Sequence, residues 1–461
     1  MQWSDEQARV IDSVVDQRKN VLMTGSGGSG KSTVIRHLYR ILERKGFTVQ
    51  VCAMTGCAAI LLQCNARTVH SFAGIGVGRG SISENIKKVL KNPYKIKMWQ
   101  NVDILIIDEV SMMSAKLFDT LDQIGRRVRR VPDRPFGGIR LLFSGDFFQL
   151  APIEDQDDPD TGKFCFQSLS FERTWDEMIA LGTIYRQQND QVYAGILERI
   201  RWGTIAPDDV EVLRSRVHAT VCKNGVQPTR LLSRRIQVDM INQKKLHDLE
   251  GRSILFEANT VLDLPMTETE RSVREAMSGA MIDAEIQFLR GNIPCDGTLV
   301  LKEGAQVMCV VNLDQSGLCN GSRGVVIGFT SDVSHHPIVR YSDNTVVTMV
   351  PYTWASDRIP GVGVSHIPLI LAWALTIHKA QGATLDCAEI DAGSSIFDFG
   401  QTYVALSRVR SLENLCLTSF DEKRILANPL VQDFYQRRFT PAYHPAYHPA
   451  YHPAYVEELI D

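Results

Sequence analysis

The 461-residue sequence lacks an excess of charge of either sign, with 50 lysines and arginines against 53 aspartates and glutamates and a formal net charge of −3. Net charge therefore gives no reason to expect a polyanionic partner, and any nucleic-acid site must come from local clustering. Long apolar runs are also missing. The most apolar stretch, Ile367 to Ile377, contains Pro368 and falls well short of the roughly 18 residues that a membrane span needs, so no membrane partner is expected. The ten cysteines include no C-x-x-C pair and no regular framework. That excludes a disulfide scaffold and suggests buried free thiols in a reducing, intracellular compartment. The opening residues MQWSDEQARVIDSVV place acids ahead of any apolar run, so neither a secretory signal nor an arginine-rich transit peptide is expected.

What is present is length enough for about three domains at roughly 150 residues each. Ser4 and Gln7 form a capping box, and Ala8, Ile11, Val14 and Val15 fall on one helical face. Apolar strands then alternate with amphipathic helices: Val21 to Thr24, Thr48 to Met54, Val102 to Ile107 and Ile139 to Phe143, with a long helix over about Ala115 to Arg130. This alternation specifies an α/β fold with a parallel sheet covered on both faces. The first α/β domain is expected over 1–183, interrupted by an insertion at about 65–98 with glycines followed by Lys87, Lys88, Lys91, Lys95 and Lys97 interleaved with Tyr94 and Trp99. A helical pattern from Leu181 to about Leu249 begins a second part, 184–296. Short β-branched segments at 297–366 predict a small β-barrel or sandwich, inserted in a second α/β domain that resumes at 367–439. A low-complexity tail, 440–461, repeats PAYH and ends in VEELID. Three readings of the tail stay open: an unstructured segment, a docking strip for a protein partner, and three spaced histidines binding a metal.

The chemistry concentrates in three places. Gly25, Ser26, Gly27, Gly28, Ser29, Gly30, Lys31 and Ser32, followed by Thr33, match the P-loop pattern between an apolar strand and a helix. Such glycines let backbone N–H groups turn toward phosphate oxygens, the lysine reaches the β- and γ-phosphates, and Ser32 is placed to ligate Mg²⁺. Asp108 and Glu109 end the strand VDILII, where the first suits Mg²⁺ and the second suits polarising a water. Gln149 follows a third strand, IRLLFSG, and offers a neutral amide to a γ-phosphate or water. ATP and Mg²⁺ are the expected ligands.

With these motifs stand TGCAA (55–59), TVHSFAGIGVG (68–78), DEVSM (108–112), PFGG before GDFFQLAP, YRQ (185–187), LAWALTIHKAQGATLD and YVALSRVRS. Together they resemble the petite-integration-frequency (PIF) family of DNA helicases, in the RecD-like branch of helicase superfamily one, over nearly everything from Gln7 to about Phe439. The resemblance implies two RecA-like domains closing on ATP, a wedge after Asn65 that splits duplex, and a β-barrel inserted in the second domain. It implies an ATP-dependent helicase moving 5′ to 3′ on single-stranded DNA and unwinding duplex, forks or G-quadruplexes in genome maintenance. Gln7 matches the adenine-reading glutamine, and Arg186 and Arg408 match arginines that reach the γ-phosphate from the second domain. Thr55, His70, Phe72, His378 and Lys379 fall in family positions near single-stranded DNA. Their types suit phosphate contact and base stacking, while ordinary packing stays open as the second reading for His70 and Phe72.

For the lysines at 87–97 and the arginines at 126–130, solvated helix faces compete with DNA contact. The acidic loop 154–160 should lie off the DNA track. Ala151 replaces the family's usual first proline after the glutamine-leucine pair, and family roles carried by long N-terminal extensions are not expected. A monomer is expected. A translocase that strips proteins from DNA would use the same motor without the wedge, whereas a catalytically silent subunit would not need Lys31, Asp108, Glu109, Gln149, Arg186 and Arg408 intact.

Overall fold

The computed structural model describes residues 3–439 apart from 63, 77, 79, 156–157, 220–226, 312, 314–317, 319–320 and 357–358. The PAYH tail lies outside the described residues. Two compact units emerge, one made of 1–212, 396–407 and 421–461, the other of 213–395 and 408–420. The expected boundary at 183 therefore differs from the division seen, since 184–212 joins the first unit and two segments return to it from the far end of the chain.

The first unit is built on six strands: β1 (Val21–Gly25), β2 (Val49–Ala53), β3 (Arg67–Thr68), β4 (Ile104–Asp108), β5 (Arg140–Gly145) and β6 (Glu177–Leu181). They lie in the order β3-β2-β4-β5-β1-β6, and every pairing is parallel. Parallel strands need both faces covered, which is why Ile104 to Ile107 read as an unbroken apolar run and are fully buried. Val21, Met23, Ile104, Ile106 and Leu142 face a core shared with Val10 and Val14 of the first helix and Val34 and Leu38 of the helix after the glycine loop. The opposite face is aromatic, with Phe143 against Phe118, Phe136 and Trp175 at ring separations of 5.0–6.0 Å. The expected insertion contributes β3 to the sheet edge, then the helices Val69–Ala73, Ile82–Leu90 and Pro93–Asn101.

The second unit carries a four-stranded parallel sheet in the order Ala374–Thr376, Thr229–Leu232, Ala388–Ala392, Leu415–Phe420. Thr229–Leu232 lies outside the expected strands, because four residues, TRLL, with only Leu231 and Leu232 apolar, are too few inside a helical stretch to declare a period. Hydrogen bonding divides the expected small barrel into an antiparallel five-stranded sheet, from Val346–Thr348 through Pro337–Tyr341, Arg323–Phe329 and Gln306–Cys309 to Leu369–Leu371, and two smaller sheets. Ile254–Glu257 and Asn259–Val261 join those smaller sheets from outside the expected bounds. The seven cysteines whose side chains are described form no disulfide and are buried. No helix among the described residues is long and apolar enough to cross a membrane.

PFGG acquires a structural role. Gly125, in the helix Ala115–Arg129, lies against the Pro135–Gly138 turn so closely that a Cβ would stand 2.5 Å from the Phe136 carbonyl oxygen. Asp122 Oδ1 holds that turn by accepting the Phe136 N–H at 2.7 Å. Gly125→Ala should therefore overpack a backbone that cannot yield, lowering stability by about 2 kcal/mol and the first unit's melting temperature by about 4 to 8 °C. Thermal unfolding measures it, and an unchanged midpoint would show that the turn is free to move.

Candidate nucleotide site

The glycine loop joins β1 to the helix Lys31–Arg44, whose N-cap, Gly30, has φ +84°. Gly28 has φ +93°, and a Cβ there would sit 2.5 Å from the Arg186 Cβ, so conformation and space both require glycine. Lys31 Nζ donates to the carbonyls of Gly25 at 2.6 Å and Ser26 at 3.0 Å. The residue as a whole is half-buried, yet its ammonium lies in the site's interior. Burial lowers that ammonium from the usual lysine range, opposed by Asp146, Glu109 and Asp108.

Asp108, buried at the end of β4, stands 3.4 Å from the Ser32 hydroxyl that donates to its Oδ2. Burial pushes its carboxyl up, against the pull of Lys31 and Ser32. These two oxygens are the protein's offer to a metal. No group of three or more His, Cys, Asp or Glu side chains converges among the described residues. Two oxygens suit Mg²⁺, which takes its remaining ligands from phosphates and water. Glu109 adopts φ +58°, ψ +39°, a left-handed conformation costly for a side-chain-bearing residue. Gln149 is buried, and its Oε1 has no hydrogen-bond partner among the described residues.

Gln7 is fixed from three sides. Its Nε2 donates to the Ser29 carbonyl at 3.1 Å, and its Oε1 accepts from Ser4 N at 3.2 Å and Tyr185 OH at 3.3 Å. The expected capping box is thus present, and it aims the glutamine at the loop. Arg186 corrects one expectation: it belongs to the first unit and not the second, and its Nη1 donates to the Ser407 carbonyl at 2.9 Å in that same unit. Its place in sequence, after β6, suggested a new domain, but β6 is the sheet's edge strand and the segment after it stays on the first core. Arg408 does lie in the second unit, buried, with Nη1 donating to the carbonyls of Ala380 at 3.5 Å and Ala383 at 3.3 Å.

The DNA-track candidates divide between the units. Thr55 caps the helix Gly56–Leu62, its hydroxyl accepting from Ala58 N at 3.2 Å. His70 is half-buried, and burial lowers its imidazole. Phe72 is 1% exposed and packs 4.7 Å from Trp99, so its ring is core and not a stacking platform. Lys95 likewise leaves the lysine cluster: it is buried, its Nζ donating to the Ser71 carbonyl at 2.5 Å. Arg129 donates to the carbonyls of Gly137, Trp99, Gln100 and Val102 and holds loops together. In the second unit, His378 is half-buried and Lys379 exposed on a helical turn capped by Thr376.

Residues 2–206 match the family model described as PIF1-like helicase, and residues 289–329 match the 2B domain of DNA helicase Pif1. The crystal structure of Pif1 helicase from Candida albicans is 32% identical, with a TM-score of 0.73 over 95% of this chain and 99% of that one. The chain belongs to the PIF1-like helicase family. ATP-dependent DNA helicase PIF1 of Xenopus laevis is 37% identical over 437 residues, and ATP-dependent DNA helicase RRM3 of Saccharomyces cerevisiae is 32% identical over 510. This chain spans 64% of the length of the former and 67% of the latter. In this chain the 2B match falls on the β-rich insertion, where Gln306–Cys309 and Arg323–Phe329 pair.

Residue patterns did not reveal Glu198, Arg201, Tyr403 and Tyr435, which surround Asp146 beneath the loop. Arg201 follows Ile196, Leu197 and Ile200 on an amphipathic helix, so nothing in its spacing separates a buried charge from a solvated one. Tyr403 stands in YVALSRVRS, a motif read for its arginine.

The raised Asp108 carboxyl has a consequence for stability. A carboxylate whose folded pKa exceeds its unfolded one costs stability once pH rises past the unfolded value, increasingly up to the folded value. Asp108→Asn should therefore stabilise the nucleotide-free protein, and by more at pH 8 than at pH 5. Melting curves at the two pH values test this, and an equal shift at both would mean that the carboxyl carries no burial cost.

Proposed function

We propose that this chain is an ATP-driven DNA helicase that moves 5′ to 3′ on single-stranded DNA and separates duplex or forked DNA in genome maintenance. One observation carries the reading: Lys31, Ser32, Asp108, Glu109 and Gln149 meet at the C-terminal edge of one parallel sheet, where α/β folds bind ligands. Relatives support it by name as ATP-dependent DNA helicases. So do Bacteroides Pif1 structures described in complex with ADP-AlF4 and bound to ssDNA, each 28–29% identical to this chain.

In this reading the ATP phosphates lie along the loop, and the Lys31 ammonium exchanges the Gly25 and Ser26 carbonyls for β- and γ-phosphate oxygens. Ser32 and Asp108 would hold Mg²⁺, which supplies positive charge to the phosphate oxygens. Glu109 orients the attacking water and takes its proton, and Gln149 Oε1 is an acceptor open to the same water. On the family's pattern Arg186 and Arg408 would reach the γ-phosphate, whose anionic oxygens are stronger acceptors than the Ser407 and Ala383 carbonyls that these guanidinium groups also meet. Direction of travel rests on the family alone. The duplex-splitting role of the insertion, a monomeric state, and a tail that docks a protein partner belong to the same proposal. A reducing compartment fits the seven buried thiols.

Strand displacement tests both motor and polarity. A duplex with a 5′ single-stranded overhang should unwind with ATP and its 3′ counterpart should not, while Lys31→Ala should lose both unwinding and DNA-stimulated ATP hydrolysis. Unwinding from the 3′ overhang alone would reverse the assignment.

A further inference from the structure

Beneath the loop runs a buried polar chain that the proposed reaction does not use. Ser26 Oγ donates to Glu198 Oε2 at 2.6 Å, and Arg201 Nη1 donates to Glu198 Oε1 at 3.0 Å. Arg201 also grips Asp146 with two nitrogens, Nη2 at 3.0 Å from Oδ1 and Nε at 3.1 Å from Oδ2, both side chains fully buried. Tyr403 OH donates to Asp146 Oδ2 at 3.1 Å and accepts the Gly27 N–H at 2.7 Å.

The direction of this chain is forced. An ion-paired carboxylate only accepts, so the one Tyr403 proton goes to Asp146 and the phenol oxygen receives the loop amide. Burial and the Asp146 charge push the Tyr403 hydroxyl well above the ordinary phenol range, which keeps that proton in place. Asp146 also opens the turn bearing Gln149: its backbone carbonyl accepts Gln149 N at 2.9 Å, and its Oδ1 accepts Phe148 N at 3.3 Å. One carboxylate thus ends two lines, one from the phosphate loop and one from the glutamine turn.

We infer that Tyr403 is a positioning residue for the nucleotide reaction, its hydroxyl tying the loop at Gly27 to the Asp146 turn so that the loop and Gln149 are set together. The inference rests on the nucleotide reading proposed above. Tyr403 touches neither phosphate nor water in this account, and acts through Gly27 and Asp146. Tyr403→Phe keeps a ring that is 3% exposed and removes only the hydroxyl, leaving the half-buried Gly27 amide and an Asp146 carboxylate oxygen each short of a partner.

The test is a double-mutant cycle read by nucleotide binding. Dissociation constants for ADP and for a non-hydrolysable ATP analogue are measured in the full chain, in Tyr403→Phe, in Gln149→Ala and in the double variant, below the melting temperature of each. Tyr403→Phe should weaken ADP about tenfold, as expected for one unsatisfied donor in the binding loop, and weaken the analogue further. In the Gln149→Ala background that extra loss for the analogue should vanish. Tyr435→Phe is the companion variant, because it takes a hydroxyl from the same carboxylate, and from the Phe147 amide and the Thr24 hydroxyl, while leaving the Gly27 amide its partner. It should lower the melting temperature and leave ADP affinity unchanged. The inference is overturned if Tyr403→Phe alters both constants less than twofold, or if its effect on the analogue is the same with and without Gln149. Absence of nucleotide binding by the unmodified chain would instead overturn the nucleotide reading.

Discussion

A fully buried ion pair, Asp146 with Arg201, organises the first unit. A charge without solvent must have a partner and full hydrogen bonding, or the fold cannot tolerate it. Here the carboxylate receives the guanidinium, Tyr403 and Tyr435, and the guanidinium lies 4.5 Å over the Phe148 ring and 5.1 Å over that of Tyr435. Each partner arrives on a different segment: the turn after β5, the helix Gln191–Arg201, the helix Gln401–Leu406 and the helix Pro429–Phe439. Satisfying one carboxylate therefore draws three distant stretches onto the first sheet. Their apolar faces complete the arrangement, as Phe434 and Tyr435 pack on Phe147 and Phe148.

Much of the first sheet was legible because its signals are local. The capping box, the apolar strands and the glycine loop each depend on residues within a few positions of one another, and each forms where the pattern places it. The unit boundary depends on something else. Whether the helix Gln191–Arg201 belongs to the sheet before it or the sheet after it is decided by which buried carboxylate its arginine meets, and amphipathic periodicity is the same in either case. The edge strand Arg67–Thr68 escaped notice for a related reason, since two residues carry no period at all.

The nucleotide site was more legible than the DNA track. Lys31, Ser32, Asp108 and Gln149 lie where a loop and two strand ends must bring them, because a parallel sheet delivers all its C-terminal ends to one edge. The DNA candidates instead depend on which way a side chain faces from a short helix. Phe72 turns inward to Trp99, and Lys95 turns inward to the Ser71 carbonyl. Aromatic and basic residues in alternation look like a nucleic-acid surface, and they equally describe a small core whose exposed carbonyl needs a cation. Type and spacing do not separate the two. Arg186 differs again, because what was misjudged is its unit, by 29 residues of chain, from 183 to 212.

The route of the chain sets the order in which the protein can be completed during synthesis. Between residues 212 and 421 the backbone leaves the first unit, returns for 396–407, and leaves again before the helix Pro429–Phe439. Chains emerge from the ribosome N-terminus first and domains generally fold as units. Here the unit that begins first ends last: Arg201 and Asp146 are made early, while Tyr403 and Tyr435 follow more than 200 residues later. Until the helix Pro429–Phe439 has emerged, the nascent first unit holds an ion pair lacking two of its hydrogen bonds and an aromatic face lacking its cover. The second unit, whose final strand ends at Phe420, is synthesised in full before that. The half of the protein that bears the phosphate loop therefore waits on the helix Pro429–Phe439.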